Sequence, residues 1–328
     1  MESPAQPADL PKINPFLIPG SEHTPKTALS PWQWESHADY YVDVDNFAQS
    51  MNAFESRFTK PEFLLMRSQL VLVNGDSGCG KSALRNMCAH WLKNTLPTMG
   101  LRAEIVDLTQ EVDHSSRRGK IFDVDRRMSS TGEQLIDELA SLNLIDEASQ
   151  EKLRGLTEEN PRRLYQGLPG VLDKHKNSDV ILLLLLPDVE LFSEVEAYAV
   201  MPGRRVVYFM EPAWVTFGAD QIASLGRGYA PPVTLTVGTL NPGDARRFVD
   251  KRLVKGQETG QFPGLDDEVI EEFGSNDEMS IAYLQSILSH MYGQAMLDDD
   301  LYVRNKTITS AEAYRLIFKV TLRGDELR

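Results

Sequence analysis

The chain has 328 residues, enough for two domains, and its 41% apolar and 25% charged residues are a globular balance. A formal net charge of −14 argues against broad, sequence-independent nucleic-acid binding, which needs a basic footprint, although a local basic strip is compatible with it. Two cysteines give no disulfide framework and fit a reducing compartment. No basic-then-apolar leader is present, and the longest apolar run, residues 180–186, is far shorter than the ~20 residues of a membrane helix. The expectation is a soluble, cytoplasmic protein without membrane association.

Residues 1–31 carry Pro4, Pro7, Pro11, Pro15, Pro19, Pro25 and Pro31 among small polar residues, and such a segment reads as an extended or disordered arm. Within it, residues 13–18 are apolar enough to dock, either on the chain's own domain or on a partner. Trp32 and Trp34 open the ordered part. Phe47, Met51, Phe54 and Phe58 then share one face of a helix over 45–60. The run 70–73 is a first strand, followed by a glycine loop and a helix from Ala83 to about Leu92. Residues 101–108 alternate as a second strand, and 111–127 form a charged loop. Helical patterns follow through Leu135, Ile136, Leu139 and Leu153 and again over 162–174. The unbroken apolar run 180–186 reads as a parallel strand covered on both faces. Residues 205–210 and 233–237 are the fourth and fifth strands, with a short helix at 220–225 between them. From Pro242 onward the pattern is helical, ending in a capping box at Thr309 to Glu312, and no strand is expected there. The fold class is α/β: a five-stranded parallel sheet flanked by helices in residues 32–240, followed by an all-helical domain in 241–328.

The chemistry concentrates in Gly75-Asp76-Ser77-Gly78-Cys79-Gly80-Lys81-Ser82, a G-x-x-x-x-G-K-S segment between an apolar strand and a helix. Glycines let the backbone curl so that successive N–H groups point inward at the positive end of a helix, making an anion nest. Lys81 would reach the β- and γ-phosphates and the Ser82 hydroxyl would ligate Mg²⁺. Hydrolysis also needs a carboxylate on a neighbouring strand to serve the metal and a group to orient water. Asp188 stands at the end of the leucine run. Glu190 lies two residues on, and in an extended chain it would point to the same side. Which of the two serves Mg²⁺ and which the water is open, and either could instead cap the following turn.

The order of elements resembles the AAA+/STAND and origin-recognition class of P-loop ATPases over residues 39–322. The segment Asn241-Pro242-Gly243-Asp244 after the fifth strand is similar to that class's entry into its helical lid. The resemblance implies a parallel sheet with the phosphate-loop strand in its middle, and ATP with Mg²⁺ as the ligand. No Asn-Lys-x-Asp segment for guanine is present. It also implies an adenine pocket to which Tyr41 and Val42 contribute, and an arginine finger, for which Arg227 is the candidate and Arg204 and Arg205 are weaker ones. Arg246, Arg247 and Arg252 read as a solvated or salt-bridged helix face. The chain departs from the class in three places. Pro187 precedes Asp188 where an acidic pair is usual, Glu211 stands where a polar sensor is common, and residues 276–282 hold no arginine.

The sequence therefore points to an ATP-binding switch that hydrolyses ATP slowly, with a protein partner and a possible homo-oligomer. The alternatives are a non-hydrolysing scaffold and, less favoured by charge, a DNA-transaction ATPase. Cysteine and histidine spacings offer no zinc site, and no G-x-S-x-G nucleophile segment occurs.

Overall fold

The computed structural model describes residues 10–18, 28–109, 123–175, 177, 179–201, 203–213, 216–225 and 231–321, the last four of these by backbone only. Contacts divide the chain into two units. One comprises Gln49–Ser77 and Lys81–Val237; the other comprises Met1–Ala48, Gly78–Gly80 and Gly238–Arg328. One break between the units falls between Val237 and Gly238. The described residues up to Ala48 group with the helical tail rather than with the sheet.

The first unit is built on five parallel strands: β1 (Gln69–Asn74), β2 (Arg102–Asp107), β3 (Val180–Leu185), β4 (Val206–Met210) and β5 (Val233–Thr236). Their order is β2-β3-β4-β1-β5. The phosphate-loop strand β1 is thus interior, paired with β4 and β5, but one place from the edge rather than in the middle. Period-2 alternation sorts the apolar runs between two cores. Leu70, Leu72, Leu182, Leu184, Val206 and Tyr208 join one cluster with α3 (Val124–Ser141), α4 (Glu147–Glu159), α5 (Pro161–Lys174) and α6 (Phe192–Ala199). The opposite face, with Phe209, meets Phe54 of α1 (Phe47–Arg57), ring centroids 6.2 Å apart, and Phe54 also packs on Trp91 of α2 (Lys81–Thr95). Both faces being covered is the reason β3 is apolar throughout. A short α7 (Ala219–Leu225) precedes β5.

Two local expectations are corrected. Residues 111–122 of the charged loop lie outside the described residues, but Arg126 and Arg127 are already helical. Asp123 caps α3 by accepting from the N–H groups of Asp125 and Arg126, so capping outweighs the polarity of the segment. Arg204 and Arg205 sit at the start of β4, the end of the strand away from the loop that follows β1. Arg205 is buried, with φ of +62°, and donates to Asn177 O at 2.9 Å, Pro169 O at 2.7 Å and Asp173 at 2.8 Å. It clamps the entry to β4 and is no finger.

The second unit packs α8 (Asp244–Gln257), α9 (Asp267–Gly274), α10 (Ile281–Ala295) and α11 (Ser310–Thr321) around Phe248, Leu284, Leu288, Met291 and Tyr292. Contrary to expectation it holds a two-residue parallel pair, β6 (Gly264–Leu265) with β7 (Thr307–Ile308), too short to show a period in sequence. The capping box forms: Thr309 N donates to Glu312 Oε2 at 3.0 Å, and Glu312 N to Thr309 Oγ1 at 3.4 Å. Residues 10–18 dock on this unit. Phe16 is fully buried against Tyr292 and Phe248, and its carbonyl accepts from Ser289 Oγ at 3.0 Å and from Gln285. Asn14 donates to Ser289 O, and Tyr302 to Ile13 O. The apolar patch in the arm therefore serves its own chain.

Arg246 pairs with Asp267 and Arg247 with Asp244, as a salt-bridged face should. Arg252 does not. It is buried between the rings of Tyr40 at 4.9 Å and Phe248 at 5.0 Å, its Nε and Nη1 have no hydrogen-bond partner, and burial draws its pKa down to about 10. Tyr41 donates to Leu29 O and meets the Phe47 ring at a tilt, while Val42 packs against the helical core.

Candidate phosphate-binding site

β1 ends at Asn74, whose side-chain amide brackets Phe217, donating to its carbonyl and accepting from its N–H, each at 3.1 Å. This anchors the segment after β4 beside the start of the glycine loop. Gly75 has φ of +151°, and a Cβ there would stand 2.3 Å from Val237 O, so the turn can be made only by glycine. Gly78 and Gly80 also take positive φ, at +80° and +91°. Two side chains brace the loop. Thr216 Oγ1 donates to Asp76 Oδ1 at 2.6 Å, and Lys81 Nζ, itself buried, donates to Asp76 O at 2.9 Å. Cys79 is buried. The loop thus delivers Lys81 and Ser82 as the first two residues of α2.

Ser82 Oγ donates to Glu211 Oε1 at 2.8 Å. The same oxygen faces Arg85 Nη1 at 2.7 Å, and both members of that ion pair are nearly inaccessible, at 6% and 3% of side-chain area. Ser82 and Arg85 are three residues apart on α2 and so lie on one face of the helix. Glu211 follows β4 two residues after Phe209, on the face turned to α1 and α2. Its second oxygen, Oε2, is buried with no partner.

Pro187 explains where Asp188 goes. Leu186 N donates to Phe209 O at 3.0 Å, but the next rung is Val189 N to Glu211 O at 2.9 Å, so three residues of one strand span two of the other. Proline has no N–H to donate, and the ladder steps over it in a bulge. Leu186 and Val189 both enter the same core cluster, which a strict period of two would forbid. The slip brings the Asp188 carboxyl beside that of Glu211. Although Asp188 keeps an exposed edge, loss of hydration and the neighbouring Glu211 push its pKa up to about 6, against the pull of Arg85 and Lys81.

Glu190 follows a different course from Asp188. It forms a long ion pair with Arg127 of α3 at 3.8 Å. Arg127 also faces Glu194 at 3.1 Å and donates to Asp188 O at 2.7 Å. The side-by-side placement expected from an extended chain is undone by the bulge. Buried Glu194 is pushed up to about 7, chiefly by desolvation and secondarily by Glu190, with Arg127 opposing. Arg227 lies outside the described residues.

Sequence reasoning passed over Arg85 and took Glu211 only as an odd sensor. The available signals were helical spacing from Ser82 and a carboxylate ending the strand next to β1. Among the described residues no cluster of three His, Cys, Asp or Glu side chains could hold a metal by itself. A magnesium–triphosphate site does not require one, since phosphate oxygens and a hydroxyl supply part of the shell. The donors here, the Ser82 hydroxyl and the carboxylates of Glu211 and Asp188, are all hard oxygens, and the unpartnered Glu211 Oε2 is a buried acceptor; they fit Mg²⁺. Among the described residues no helix is long and apolar enough to cross a membrane.

No protein-family model matches the sequence, and no curated protein matches it. Among solved structures, the chain is similar to the Aeropyrum pernix ORC2 protein in its ADPNP–ADP complexes, at 12% identity and a TM-score of 0.48 over 82% of this chain and 66% of that one. The A. pernix ORC1 protein in complex with DNA gives 12% and 0.48, over 82% and 65%. Domain III of the Thermotoga maritima replication initiation protein DnaA gives 14% and 0.42, over 86% and 95%. The chain spans just under two thirds of the length of the two archaeal proteins.

Proposed function

We propose that the chain binds ATP with Mg²⁺ at the loop after β1, turns it over slowly, and works as a nucleotide-dependent switch acting through a partner protein. The observation that carries this reading is the construction of the loop. Glycines with positive φ at three positions deliver a buried lysine and a serine at the start of a fifteen-residue helix, and the serine is already bonded to a buried carboxylate. In that setting the loop N–H groups and Lys81 would hold the phosphates, and Ser82, with the carboxylates of Glu211 and Asp188, would hold the metal. Mg²⁺ supplies neutralisation of the phosphate charge. Lys81, once its bond to Asp76 O is exchanged for one to phosphate, fixes the chain's end of the triphosphate.

A non-hydrolysing, ATP-dependent scaffold is the second reading. The bulge at Pro187 and the engagement of Glu190 by Arg127 favour it, because they take away the acidic pair that would follow β3 in a hydrolase. Binding of a fluorescent ATP analogue, set beside phosphate release over a range of protein concentrations, tests both. Lys81→Ala should weaken binding by about 10- to 100-fold, the worth of a charge-assisted phosphate contact. Phosphate release per molecule of protein that rises with protein concentration, and is lost in Arg227→Ala, supports composite sites. Tight binding without release selects the scaffold. Unaltered binding in Lys81→Ala overturns the site. A shift of labelled duplex DNA that requires ATP would replace the partner-protein reading, DNA being what the A. pernix ORC1 protein is seen with.

A further inference from the structure

A serine that ligates a metal must present a lone pair to it, so its proton must be taken by an acceptor on the other side. In this chain that acceptor is Glu211, at 2.8 Å from Ser82 Oγ. On β3 the position that continues the side of Leu183 and Leu185 is Pro187, whose side chain carries no acceptor. Glu211, two residues beyond Phe209, reaches the same place from the adjacent strand. Arg85 pins it there at 2.7 Å, in a place where the residue is only 2% exposed. The second oxygen of Glu211 has no partner, and a second carboxyl, Asp188, lies against it. Two carboxyls thus lie together where the Ser82 hydroxyl donates, and their hard oxygens suit a divalent cation there.

We propose that the metal-side carboxylate has moved from β3 to β4. Glu211, held by Arg85, is the positioning residue that orients the Ser82 hydroxyl for Mg²⁺, and Asp188 takes the outer, water-facing role. This rests on the nucleotide reading of the loop and assigns, within it, a role that the sequence had left between Asp188 and Glu190. The Ser82–Glu211–Arg85 chain couples occupancy of the metal position to α2. Glu190 has no part in it, being tied to Arg127.

The test is magnesium linkage, measured without turnover: affinity for a non-hydrolysable ATP analogue with Mg²⁺ and again with EDTA, in the full chain. Wild type should gain affinity with Mg²⁺. Glu211→Gln, nearly isosteric, should lose at least about tenfold of that gain while its EDTA affinity stays within about threefold, which also reports a folded site. Asp188→Asn should lose less of the gain than Glu211→Gln does. An unchanged gain in Glu211→Gln, or a gain lost in Asp188→Asn but kept in Glu211→Gln, overturns the assignment. Should Glu211→Gln fail to bind in EDTA, Mn²⁺ electron–nuclear double resonance on wild type labelled with ¹³C at glutamate or at aspartate carboxyls decides. A coupling stronger from glutamate supports Glu211, and one stronger from aspartate overturns it. Wild type without any nucleotide affinity would instead sink the underlying reading of the loop.

Discussion

Glu194→Gln should stabilise the protein, and do so more strongly as the solution becomes more alkaline. Glu194 is 4% exposed, and burial lifts its pKa from the ordinary 4.5 to about 7. The folded state therefore keeps a proton that the unfolded chain releases. The resulting contribution to stability is complete below pH 4.5 and is lost as pH rises through 7. At ~1.36 kcal/mol per pKa unit, the carboxylate costs the native state about 3 kcal/mol once fully ionised. Glutamine keeps the shape and cannot ionise. Arg127 retains Glu190 and is itself partly exposed, so no charge is stranded. The margin of Glu194→Gln over the parent should widen by about 2 kcal/mol between about pH 5.5 and about pH 8.5. That range stays above the sequence pI near 4.9, where solubility is lowest. Urea melts at intervals of pH measure the margin directly, with the titrations of Asp188 and the remaining carboxylates cancelling in the difference. A margin constant to within about 0.5 kcal/mol over the range refutes the buried neutral carboxyl.

Phe16→Ala should cost about 3–5 kcal/mol, since a fully buried ring between Tyr292 and Phe248 is removed; denaturant melts check it, and a loss under about 1 kcal/mol would mean the arm is not part of that core. Gly75→Ala should lower stability by roughly 1–3 kcal/mol and weaken nucleotide binding together, because the new Cβ would press on Val237 O from a backbone conformation that alanine resists. Wild-type melting and binding in that variant would show that the turn relaxes freely.

The sheet was readable because its inner strands are covered on both faces, so burial wrote itself into the sequence as apolar runs such as 180–186. The loop was readable because its spacing follows from backbone geometry within eight residues. Other features depend on pairings distant in the chain. Glu211 meets Ser82 across a sequence separation of 129, and its meeting with Asp188 depends on a ladder between β3 and β4 that slips at one proline. Nothing local marks either event. Arg252 looked like a surface arginine because the rings that enclose it come from Tyr40, far upstream, as well as from Phe248 on its own helix. Helix α3 began earlier than expected because a single aspartate cap outweighed a charged composition. The docking of residues 13–18 stayed open between self and partner, since an apolar patch does not name what it touches.

That docking has a consequence for biosynthesis. The helical unit draws its core from both sides of the sheet-bearing unit: the Phe16 carbonyl waits for Ser289, 273 residues downstream, and Ile13 for Tyr302, 289 residues downstream. At roughly 5–20 residues per second, a ribosome needs on the order of 15–60 s to supply those partners. For that interval Phe16 and its neighbours have no seat of their own, while residues 49–237 already contain every strand of the five-stranded sheet. The nascent chain thus holds a sticky leading segment in waiting, and seating it closes a loop that carries more entropy cost than any local contact of the helical unit.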